Sequence, residues 1–566
     1  MEAKSLGDML RRTANRVPDK VAMLAPNKNG FDEIRYRDLL EKARTYASTL
    51  YGMGLRRGDK VVIVSENCVE WAFADWGCQT LGITVVPVYP TLPADQVGYL
   101  VRDSQAKLVI AGSPDQMAKV ILLNGIRSIL LKGEDSLDSL ANSGKDLLSL
   151  EAWNHEIDQI DREDIATIIY TSGTTGLPKG AMLANRTFLH VCECAQRQLP
   201  LNENDMFLTF LPMSHVYERV AGQCLPIYMG ATIAFSKSLA SLATEFIKVR
   251  PTILLCVPRF LESFRDKVTD GVSKMPPLRQ KLFHMAMNQG IAKTRGQFAP
   301  FAGILDKLVM GKVRDRLGGR MRFFISGGAA LPTHVAEFYM GAGLTVLQGY
   351  GLTETCGGTC INHPDRNQYW TVGESLGMEI KIAEDGEILV KGPGLMTGYF
   401  NLPDETARAI DPAGWFHTGD IGEFEGTNLK ITDRKKDLIV LGNGKNVAPQ
   451  PIENKLTASP FISEAVVLGD GMEYCVALII PNFEAVRASL GLAEGTDYAS
   501  NPDVKSLIKR EIDKTNKTLA NFEIIKKHAI LSAPFTIDGG ELTPTLKVKR
   551  KVVKEKYASI ISEMRR

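Results

Sequence analysis

The sequence predicts an α/β fold in which a large N-terminal domain of packed α/β sheets precedes a small α+β domain. Residues 36–111 alternate short apolar runs with helical patterns, which is typical of parallel strands joined by crossover helices. After about residue 375, strand alternation around turn signals replaces this rhythm and indicates a β-rich subdomain. At 566 residues the chain is also too long for a single core, so at least two domains are expected.

The predicted parallel strands are short and rich in β-branched residues. KVVIVS (60–65), TVVPVYP (84–90) and KLVIAG (107–112) are separated by the helical stretches 69–82 and 94–106. Three later runs have the same character and extend the parallel arrangement, namely TILLCVP (252–258), MRFFISGG (321–328) and LTVLQGYG (344–351).

Hairpins dominate the last third of the sequence. Asp385-Gly386 and the segment 425–428 lie between alternating strands, and 464–481 reads as another hairpin with helices before and after it. We place a domain boundary at TDRKKD (432–437), a short charged segment that suits a hinge. The predicted organisation is therefore an N-terminal domain over 1–432, a hinge at 433–437 and a C-terminal domain over 438–566.

The composition excludes several classes of protein. Charged residues make up 23% of the chain and the net charge is +2, so nothing indicates nucleic-acid binding. Nine cysteines without a C-x-x-C pair predict reduced thiols in a cytoplasmic protein, and the eight histidines form no metal-binding pattern. The N-terminus reads as an amphipathic helix without an apolar signal core, and the apolar run 224–235 is too short to span a membrane. Peripheral contact with a membrane stays open.

The stretch YTSGTTGLPKG (170–180) has the composition of a loop that wraps phosphate. Its glycines let backbone amides approach a ligand closely, and its Ser and Thr hydroxyls add donors. A Walker loop has its lysine directly after the last glycine, whereas here Lys179 precedes Gly180. A plain turn that joins one strand to another explains the composition about equally well.

Two further glycine-containing turns follow apolar strands. GYGLTET (349–355) presents Thr353 and Glu354, and a carboxylate beside hydroxyls is the donor set that Mg²⁺ prefers. A helix N-terminus capped by Thr353 is the competing interpretation. In ISGGAALP (325–332), glycines at a strand end would let a flat ring lie on the backbone, although a simple strand-to-helix turn has the same sequence.

Three more polar stretches follow. GWFHTGD (414–420) ends in an aspartate that can accept hydrogen bonds from a ribose diol, or that is an ordinary hairpin aspartate. DRKKD (433–437) and GNGKNVAP (442–449) are charged or glycine-containing and are equally consistent with a solvated face. ELTPTLKVKRK (541–551) is either a basic tail or a rigid loop that presents Lys547.

Taken together and in this order, these stretches resemble the AMP-forming acyl-CoA synthetase (adenylate-forming ligase) superfamily over nearly the whole chain. The finer similarity is to long-chain fatty acyl-CoA synthetases, in LPMSHVYERV (211–220), GKNVAPQPIE (444–453) and LTPTLKVKR (542–550). The chain departs from the superfamily in lacking the K-x-x-G-K ending of small-acid members, so Lys547 is aligned by position and by its K-V-x-R context.

The resemblance implies a mobile C-terminal domain and two half-reactions. A carboxylate attacks the α-phosphate of MgATP to give acyl-AMP and pyrophosphate, and the thiol of coenzyme A then attacks the acyl carbonyl and releases AMP. ATP, Mg²⁺ and coenzyme A are therefore the expected cofactor and substrates, beside a fatty acid. Because the first step brings two anions together, the enzyme must supply positive charge there.

The resemblance also assigns roles to individual residues. Lys547, Thr171 and Glu354 would be catalytic, with Thr171 and Glu354 also holding the metal. The nucleotide would contact Thr171, Ser172, Gly173, Thr174, Thr175, Gly176, Lys179, Gly327, Gly328, Ala329, Gly349, Tyr350, Gly351, Thr353, Asp420, Ile431 and Arg434. The acyl and carboxylate pocket would contain His215, Ser326, Gly327 and Gly351. Lys436 would be the hinge, and Gly442, Gly444 and Lys445 would form the thioester-site loop.

Several alternatives to this function stay open. In one alternative, an acyl carrier protein and not coenzyme A accepts the acyl group. In another, the enzyme is a fatty acyl-AMP ligase, which stops after forming the acyl-adenylate. A non-catalytic acyl- or nucleotide-binding scaffold would need damaged motifs, and the motifs of this chain look intact. A luciferase-type oxygenase has no support beyond the fold. A P-loop NTPase is disfavoured because Lys179 precedes the last glycine of the stretch 170–180. Neither the acyl chain length nor the choice between monomer and homodimer can be read from the sequence.

Overall fold

The computed structural model describes residues 3–121, 123, 125–144, 146–171, 177–536, 539–542 and 548–565. The chain divides into two compact units. The first consists of Met1–Leu331, Val335–Ile380 and Leu389–His417, and the second of Pro332–His334, Lys381–Ile388 and Thr418–Arg566. Helices and strands alternate along most of the chain, in keeping with the predicted α/β class.

The strands, in chain order, are β1 (Val21–Pro26), β2 (Phe31–Arg35), β3 (Lys60–Val64), β4 (Thr84–Val88), β5 (Leu108–Ala111), β6 (Arg127–Leu130), β7 (Ile165–Thr171), β8 (Lys179–Ala184), β9 (Met206–Thr209), β10 (Thr232–Phe235), β11 (Ile253–Cys256), β12 (Phe323–Ser326), β13 (Thr345–Tyr350), β14 (Cys360–Ile361), β15 (Glu374–Ser375), β16 (Glu379–Ile382), β17 (Glu387–Lys391), β18 (Gly398–Tyr399), β19 (Phe416–Glu425), β20 (Asn428–Arg434), β21 (Ile439–Val440), β22 (Asn446–Val447), β23 (Ile462–Leu468), β24 (Cys475–Pro481) and β25 (Ile525–Ile530).

The α-helices are α1 (Leu6–Arg16), α2 (Tyr36–Gly52), α3 (Val69–Gln79), α4 (Ala94–Asp103), α5 (Pro114–Ala118), α6 (Leu137–Ala141), α7 (Leu150–Gln159), α8 (Asn185–Gln198), α9 (Leu225–Met229), α10 (Leu242–Val249), α11 (Pro258–Ser273), α12 (Pro277–Thr294), α13 (Ala302–Leu305), α14 (Gly311–Asp315), α15 (Thr333–Gly341), α16 (Pro403–Ala409), α17 (Pro449–Leu456), α18 (Phe483–Leu490), α19 (Pro502–Asn516), α20 (Arg550–Lys556) and α21 (Ala558–Arg565). Glu218–Cys224 and Asp306–Met310 are π-helical, and Thr353–Thr355 and Pro364–Arg366 are 3₁₀ turns.

Two large sheets form the first unit. One has the order β15-β14-β13-β12-β11-β9-β10-β1-β2, and its strands from β13 to β1 are parallel. The other has the order β18-β8-β7-β4-β3-β5-β6, with β7 to β6 parallel. The predicted strands at 60–65, 84–90 and 107–112 are confirmed as neighbours in this second sheet. They are buried because helices cover parallel sheets on both faces.

The second unit contains smaller, mostly antiparallel sheets. The chain turns between β16 and β17 at Gly386, and β19 and β20 pair antiparallel around Gly426, as predicted. The predicted hairpin at 464–481 is the antiparallel pair β23–β24, to which β25 adds in parallel. α17 and α19 contribute apolar side chains to the core on one side of this sheet, which includes Ile452, Ile479 and Ile508.

Other local expectations can be compared directly with the structure. The predicted amphipathic N-terminal helix is α1, with Ser5 as its N-cap. All nine cysteines are free, and all except Cys68 are buried. Within the described part of the chain, no helix is long and apolar enough to cross a membrane. The same residues contain no grouping of three or more His, Cys, Asp or Glu side chains suited to a metal.

Candidate active site

The strands β7 and β8 bracket the phosphate-loop stretch. They pair antiparallel, with Thr171 opposite Lys179 and Tyr170 opposite Gly180. The Thr171 hydroxyl donates to the Lys179 carbonyl at 3.4 Å. The loop therefore joins strand to strand, unlike a Walker loop, which opens a helix. Ser172, Gly173, Thr174, Thr175 and Gly176 lie outside the described residues.

A tight turn carries Thr353 and Glu354 at the end of β13. After Tyr350 the chain turns back, and the Gly357 amide donates to the Leu352 carbonyl at 2.8 Å. A Cβ on Gly351 would lie 2.4 Å from the carbonyl group of Gly357, so only glycine fits there. The turn contains the 3₁₀ segment Thr353–Thr355 and holds Glu354 close to β18.

Tyr399 on β18 connects the acidic turn to the phosphate-loop strands. Its hydroxyl donates to Glu354 Oε1 at 2.7 Å, and the Met396 amide donates to the Glu354 carbonyl at 2.8 Å. β18 pairs antiparallel with β8, placing Tyr399 opposite Ala181. Burial, followed by the charge of Glu354, raises the pKa of Tyr399, so its hydroxyl stays protonated and remains a donor.

Lys179 completes this group of side chains. Its ammonium forms an ion pair with Glu405 of α16 and lies 5.3 Å from the centroid of the Tyr399 ring. The hydrogen bond from Lys179 lowers the pKa of the Glu405 carboxyl. Thr171 and Lys179 of the phosphate-loop stretch, Glu354 of the GYGLTET stretch and Tyr399 of β18 therefore form one connected set of contacts.

Two strand ends bring the SGG and GYG stretches side by side. β12 and β13 are parallel, with Ser326 opposite Gln348, so both motifs leave the same edge of the sheet. Ligands in such sheets bind outside the carboxyl ends of the strands. The Ser326 side chain is almost fully buried, and its hydroxyl has no hydrogen-bond partner among the described residues.

Tyr217 joins the histidine-containing block to these strand ends. Its hydroxyl donates to the Ile325 carbonyl at 2.7 Å, and its ring lies over Gly327, where an added Cβ would be 3.3 Å from Cζ. Its amide donates to His215 Nδ1 at 3.1 Å. His215, Ser326 and Gly327, which the resemblance assigns to one pocket, are thus linked through Tyr217.

Asn67 clamps the segment that precedes His215. Its side-chain amide donates to the Leu211 carbonyl at 2.6 Å, and its carbonyl oxygen accepts from the Met213 amide at 2.8 Å. Asn67 follows β3 in the other sheet of the first unit, so the clamp fixes the His215 segment against the opposite sheet.

A buried polar cluster lies behind this segment. Arg219 is fully buried and forms an ion pair with Asp75, and it also donates to Thr167 of β7. Glu218 beside it accepts from the Thr209 hydroxyl at 2.7 Å, while its second oxygen has no partner among the described residues. Burial raises the pKa of Glu218 to about 8, so this carboxyl is mostly protonated near neutral pH.

In the second unit, Asp420 and Arg434 form a pair across the β19–β20 hairpin. They are opposite each other in the register, and Arg434 Nε lies 3.1 Å from Asp420 Oδ1. Ile431 faces Gly422 in the same hairpin, after a register shift. The hairpin therefore presents the carboxylate and guanidinium that the resemblance assigns to the nucleotide.

The predicted hinge and the GNGK loop follow this hairpin. Lys436 is exposed in the turn after β20, where the Asp437 amide donates to the Arg434 carbonyl at 2.9 Å. Gly442 and Gly444 lie in the turn between β21 and β22. The Lys445 ammonium is 4.8 Å from the centroid of the Phe522 ring.

Lys547 lies outside the described residues, but the ends of its segment are described. Leu542 and Val548 form an antiparallel bridge, and the Lys549 amide donates to the Glu541 carbonyl at 2.7 Å. Arg550 then forms an ion pair with Glu453. Both ends of the basic segment are therefore fixed within the second unit.

The sequence analysis missed the connecting role of four residues, although Tyr217 lies inside the block LPMSHVYERV (211–220). Tyr399, Glu405, Tyr217 and Asn67 join motifs far apart in the chain, and none belongs to a glycine-rich signature. The only signal for Tyr399 was the small run TGYF (397–400) after a predicted strand. Of the remaining predicted residues, Gly328 and Ala329 lie in the turn after β12, and Gly349 lies within β13 opposite Ile361.

Comparison with protein families agrees with this arrangement. Residues 10–400 match the model of the AMP-binding enzyme family, and residues 436–566 match the model of the AMP-binding enzyme C-terminal domain. The chain belongs to the AMP-binding enzyme family. The predicted recognition is confirmed, and this AMP-binding enzyme has the family's two successive domains.

Curated relatives cover almost all of this AMP-binding enzyme. The long-chain-fatty-acid–CoA ligase FadD15 of Mycobacterium bovis is 35% identical over 555 residues, which is 94% of this chain and 92% of that protein. The human long-chain-fatty-acid–CoA ligase 1 is 30% identical over 587 residues, with 94% of this chain and 82% of that protein covered.

Solved structures confirm the predicted fold class. The ATP-bound MatB structure from Rhodopseudomonas palustris has a TM-score of 0.75 at 23% identity, covering 98% of this chain and 99% of that chain. The Mycobacterium tuberculosis fatty acyl CoA synthetase has a TM-score of 0.66 at 24% identity and the same coverage. At these identities the likeness establishes the fold of this AMP-binding enzyme.

Proposed function

We propose that this enzyme activates a long-chain fatty acid with ATP, giving acyl-AMP and pyrophosphate, and then transfers the acyl group to coenzyme A, releasing AMP. The observation that carries the proposal is the connected set Thr171–Lys179–Tyr399–Glu354. It gathers the phosphate-loop ends and an oriented carboxylate in one place. The identity to long-chain-fatty-acid–CoA ligases over almost the full chain favours a long acyl chain and a CoA acceptor.

The donor set fits a Mg²⁺ ion that accompanies the triphosphate. Glu354 accepts from Tyr399 through Oε1, and no partner of its Oε2 is found among the described residues, so one hard oxygen is available. Thr171 lies at the mouth of the phosphate loop. We assign Glu354 and Thr171 as the residues that hold the ion. When bound, Mg²⁺ would neutralise phosphate charge that otherwise repels the attacking carboxylate.

The remaining groups position the two substrates. We assign residues 172–176 and Lys179 to the phosphates, and Asp420 beside Arg434 to the ribose hydroxyls. Ser326, Gly327 and Gly328, with Ala329, Gly349, Tyr350, Gly351 and Thr353, line the adenine and acyl sites. His215 orients the fatty-acid carboxylate, because the Tyr217 amide occupies Nδ1 and fixes the ring.

Lys547 and the hinge separate the two half-reactions. Lys547 supplies positive charge to the carboxylate and the α-phosphate during adenylation. Rotation about Lys436 then exchanges it for the loop Gly442–Lys445 during thioester formation. This assigns residues 1–432 to the substrate-binding domain and 438–566 to the moving domain, with 433–437 between them.

Radiolabelled acyl transfer tests the proposal. The purified protein is incubated with ATP, Mg²⁺ and a panel of short-chain, long-chain and aromatic acids, and pyrophosphate release is followed with coenzyme A or acyl carrier protein as acceptor. We expect release that depends on a long-chain acid and label on coenzyme A. Label on the carrier protein, or accumulation of acyl-AMP alone, would favour the alternative ligases, and no pyrophosphate with any acid would favour a scaffold.

We also propose a cytoplasmic location with peripheral attachment to a membrane. The nine free cysteines support a reducing compartment. A long-chain fatty acid partitions into lipid, so an enzyme that takes it up benefits from contact with a bilayer.

A further inference from the structure

The segment from α12 through α13 to the π-helical turn Asp306–Met310 exposes apolar side chains that the proposed catalysis does not use. Leu278, Leu282 and Met285 of α12 are 71%, 38% and 42% exposed. Phe298 is 89% exposed, and Phe301, Ile304 and Leu308 follow with 59–64%. A contiguous chain segment with this many exposed large apolar side chains is unusual in a monomer and marks an interaction surface.

The exposed apolar residues of α12 lie on one side of the helix. Leu278, Leu282 and Met285 follow the i, i+4, i+7 spacing of one helical face, whereas Phe283, Ala286 and Met287 of the same helix are buried. Phe301, Ile304 and Leu308 are spaced i, i+3, i+7, from the N-cap of α13 into the π-helical segment that follows it. The Phe301 amide donates to Gln289 Oε1 at 3.3 Å, so the second ridge is tied to α12. We call these six side chains, with Phe298, the apolar ridges.

Basic residues alternate along the chain with the apolar ridges. Residues 274–312 contain seven lysines and arginines but a single aspartate, Asp306, whereas the whole chain has a net charge of only +2. Asp306 is itself paired with Arg314. Within the described ranges, no ion pair is found for the basic residues Arg279, Lys281, Lys293, Lys307 and Lys312. The surface thus combines an apolar face with free positive charge.

The apolar ridges are firmly attached to the acyl-binding half of the first unit. Gly290 of α12 packs directly on α15, where a Cβ would lie 2.0 Å from the Gly341 carbonyl oxygen. Arg295 at the end of α12 forms an ion pair with Glu337 of α15. α15 follows the SGG turn, so the surface and the proposed acyl site share one structural element.

We propose that residues 274–312 form the surface by which this enzyme docks on an anionic lipid bilayer. The inference deepens the proposed function, on which it rests, because the bilayer would be the source of the fatty acid. Apolar side chains enter the interface while lysines and arginines contact anionic headgroups, which is how interfacial helices bind membranes. A two-fold contact between two copies of this surface is disfavoured, since it would place two strongly basic segments against each other.

Vesicle co-sedimentation of the full-length enzyme tests the surface. We expect binding to phosphatidylcholine vesicles that contain phosphatidylglycerol, weaker binding to pure phosphatidylcholine, and loss of binding as salt rises. Arg279→Glu with Lys281→Glu should weaken binding by about fivefold or more per basic residue lost. Phe298→Ser with Phe301→Ser should also weaken it strongly. Leu239→Ser, at a 71% exposed leucine outside the segment, and Lys505→Glu serve as matched controls.

Three outcomes would overturn the docking surface. The first is wild-type enzyme that stays in solution with every vesicle, and the second is segment variants that bind vesicles as well as the control variants do. The third is a change in molar mass, measured by light scattering, in the Phe298→Ser/Phe301→Ser variant, because that change would indicate a contact between two copies of the enzyme. Acyl-CoA formation from detergent-dispersed fatty acid is measured in parallel. If that activity is absent while vesicle binding persists, the proposed function fails and the docking surface stands.

Discussion

Tyr399 donates its hydroxyl hydrogen to Oε1 of Glu354 across 2.7 Å, joining two residues that are 45 positions apart. The bond fixes the carboxylate in a turn whose backbone is also held, because the Met396 amide donates to the Glu354 carbonyl. Tyr399 is therefore a positioning residue, and Glu354 is the group that we assign to the metal.

We expect Tyr399→Phe to lower adenylation by about 10–100-fold and to raise the Mg²⁺ concentration needed for half-maximal rate, because supporting groups tune metal affinity by that amount. Pyrophosphate release at varied Mg²⁺ measures both effects. Tyr474→Phe, which removes a hydroxyl that donates to the Met564 carbonyl, is the control. An unchanged Mg²⁺ requirement in Tyr399→Phe would contradict the assignment.

Lys547→Ala is expected to slow adenylation by about 10²–10³-fold and to spare most thioester formation from supplied acyl-AMP, because it removes a charge-stabilising donor from one half-reaction. Lys179→Ala should have a smaller effect on adenylation, since Glu405 already pairs with that ammonium. The two half-reactions are measured separately, with Lys551→Ala as control. Equal losses in both steps for Lys547→Ala would reject its role.

Lys436→Pro is expected to slow thioester formation more than adenylation, because proline fixes φ at the proposed pivot. No backbone hydrogen bond donated by the Lys436 amide is found in the described structure. The substitution therefore restricts rotation about φ at residue 436 without removing a backbone hydrogen bond. Single-turnover rates of each half-reaction provide the measurement, and Lys436→Ala is the control. A normal thioester rate in Lys436→Pro would count against the pivot.

Glu218→Gln should make the enzyme more stable than the wild type at alkaline pH. Burial raises the pKa of Glu218 from 4.5 to about 8, so its favourable contribution is complete below 4.5 and is lost as the pH rises through about 8. Each pKa unit corresponds to about 1.4 kcal/mol, and the neutral glutamine is free of this loss. Urea unfolding at several pH values measures the difference, and a pH-independent difference would exclude titration of Glu218.

Asn67→Ala is expected to raise the KM for the fatty acid while leaving the KM for ATP nearly unchanged. It leaves the Met213 amide and the Leu211 carbonyl without their partner, at a cost of about 1–3 kcal/mol, and so loosens the His215 segment. Steady-state kinetics in both substrates give the comparison, with Asn142→Ala at an exposed position as control. Equal changes in both KM values would indicate a general loss of structure.

The sequence predicted the elements with strong local patterns. The parallel strands at 60–65 and 84–90 and the turns at 385–386 and 425–428 are confirmed, because β-branched runs and glycine turns are local signals. The phosphate-loop composition was ambiguous between a cradle and a strand-to-strand turn. The structure shows that the loop does join two antiparallel strands. The match to the AMP-binding enzyme family favours a phosphate-binding role for the same loop.

Contacts between motifs could not be predicted in this way. The Tyr399–Glu354 bond depends on β18 adding to the edge strand β8, and a two-residue strand carries almost no sequence pattern. The Asn67 clamp depends on how two sheets pack, which single-sequence periodicity does not encode. The hinge at 433–437, the role of Lys547 and the site assignments stay predictions.

The burial of the cysteines has a practical consequence for thiol chemistry. Eight of the nine are buried, and burial raises the pKa of the half-buried Cys68 to about 11 and that of Cys475 likewise to about 11. Thiolates are the species that attack aromatic disulfide reagents, and Cys68 and Cys475 supply very few at neutral pH. With eight of its thiols buried, the native enzyme should add little colour, so timed samples mixed with such a reagent would report the coenzyme A thiol that remains.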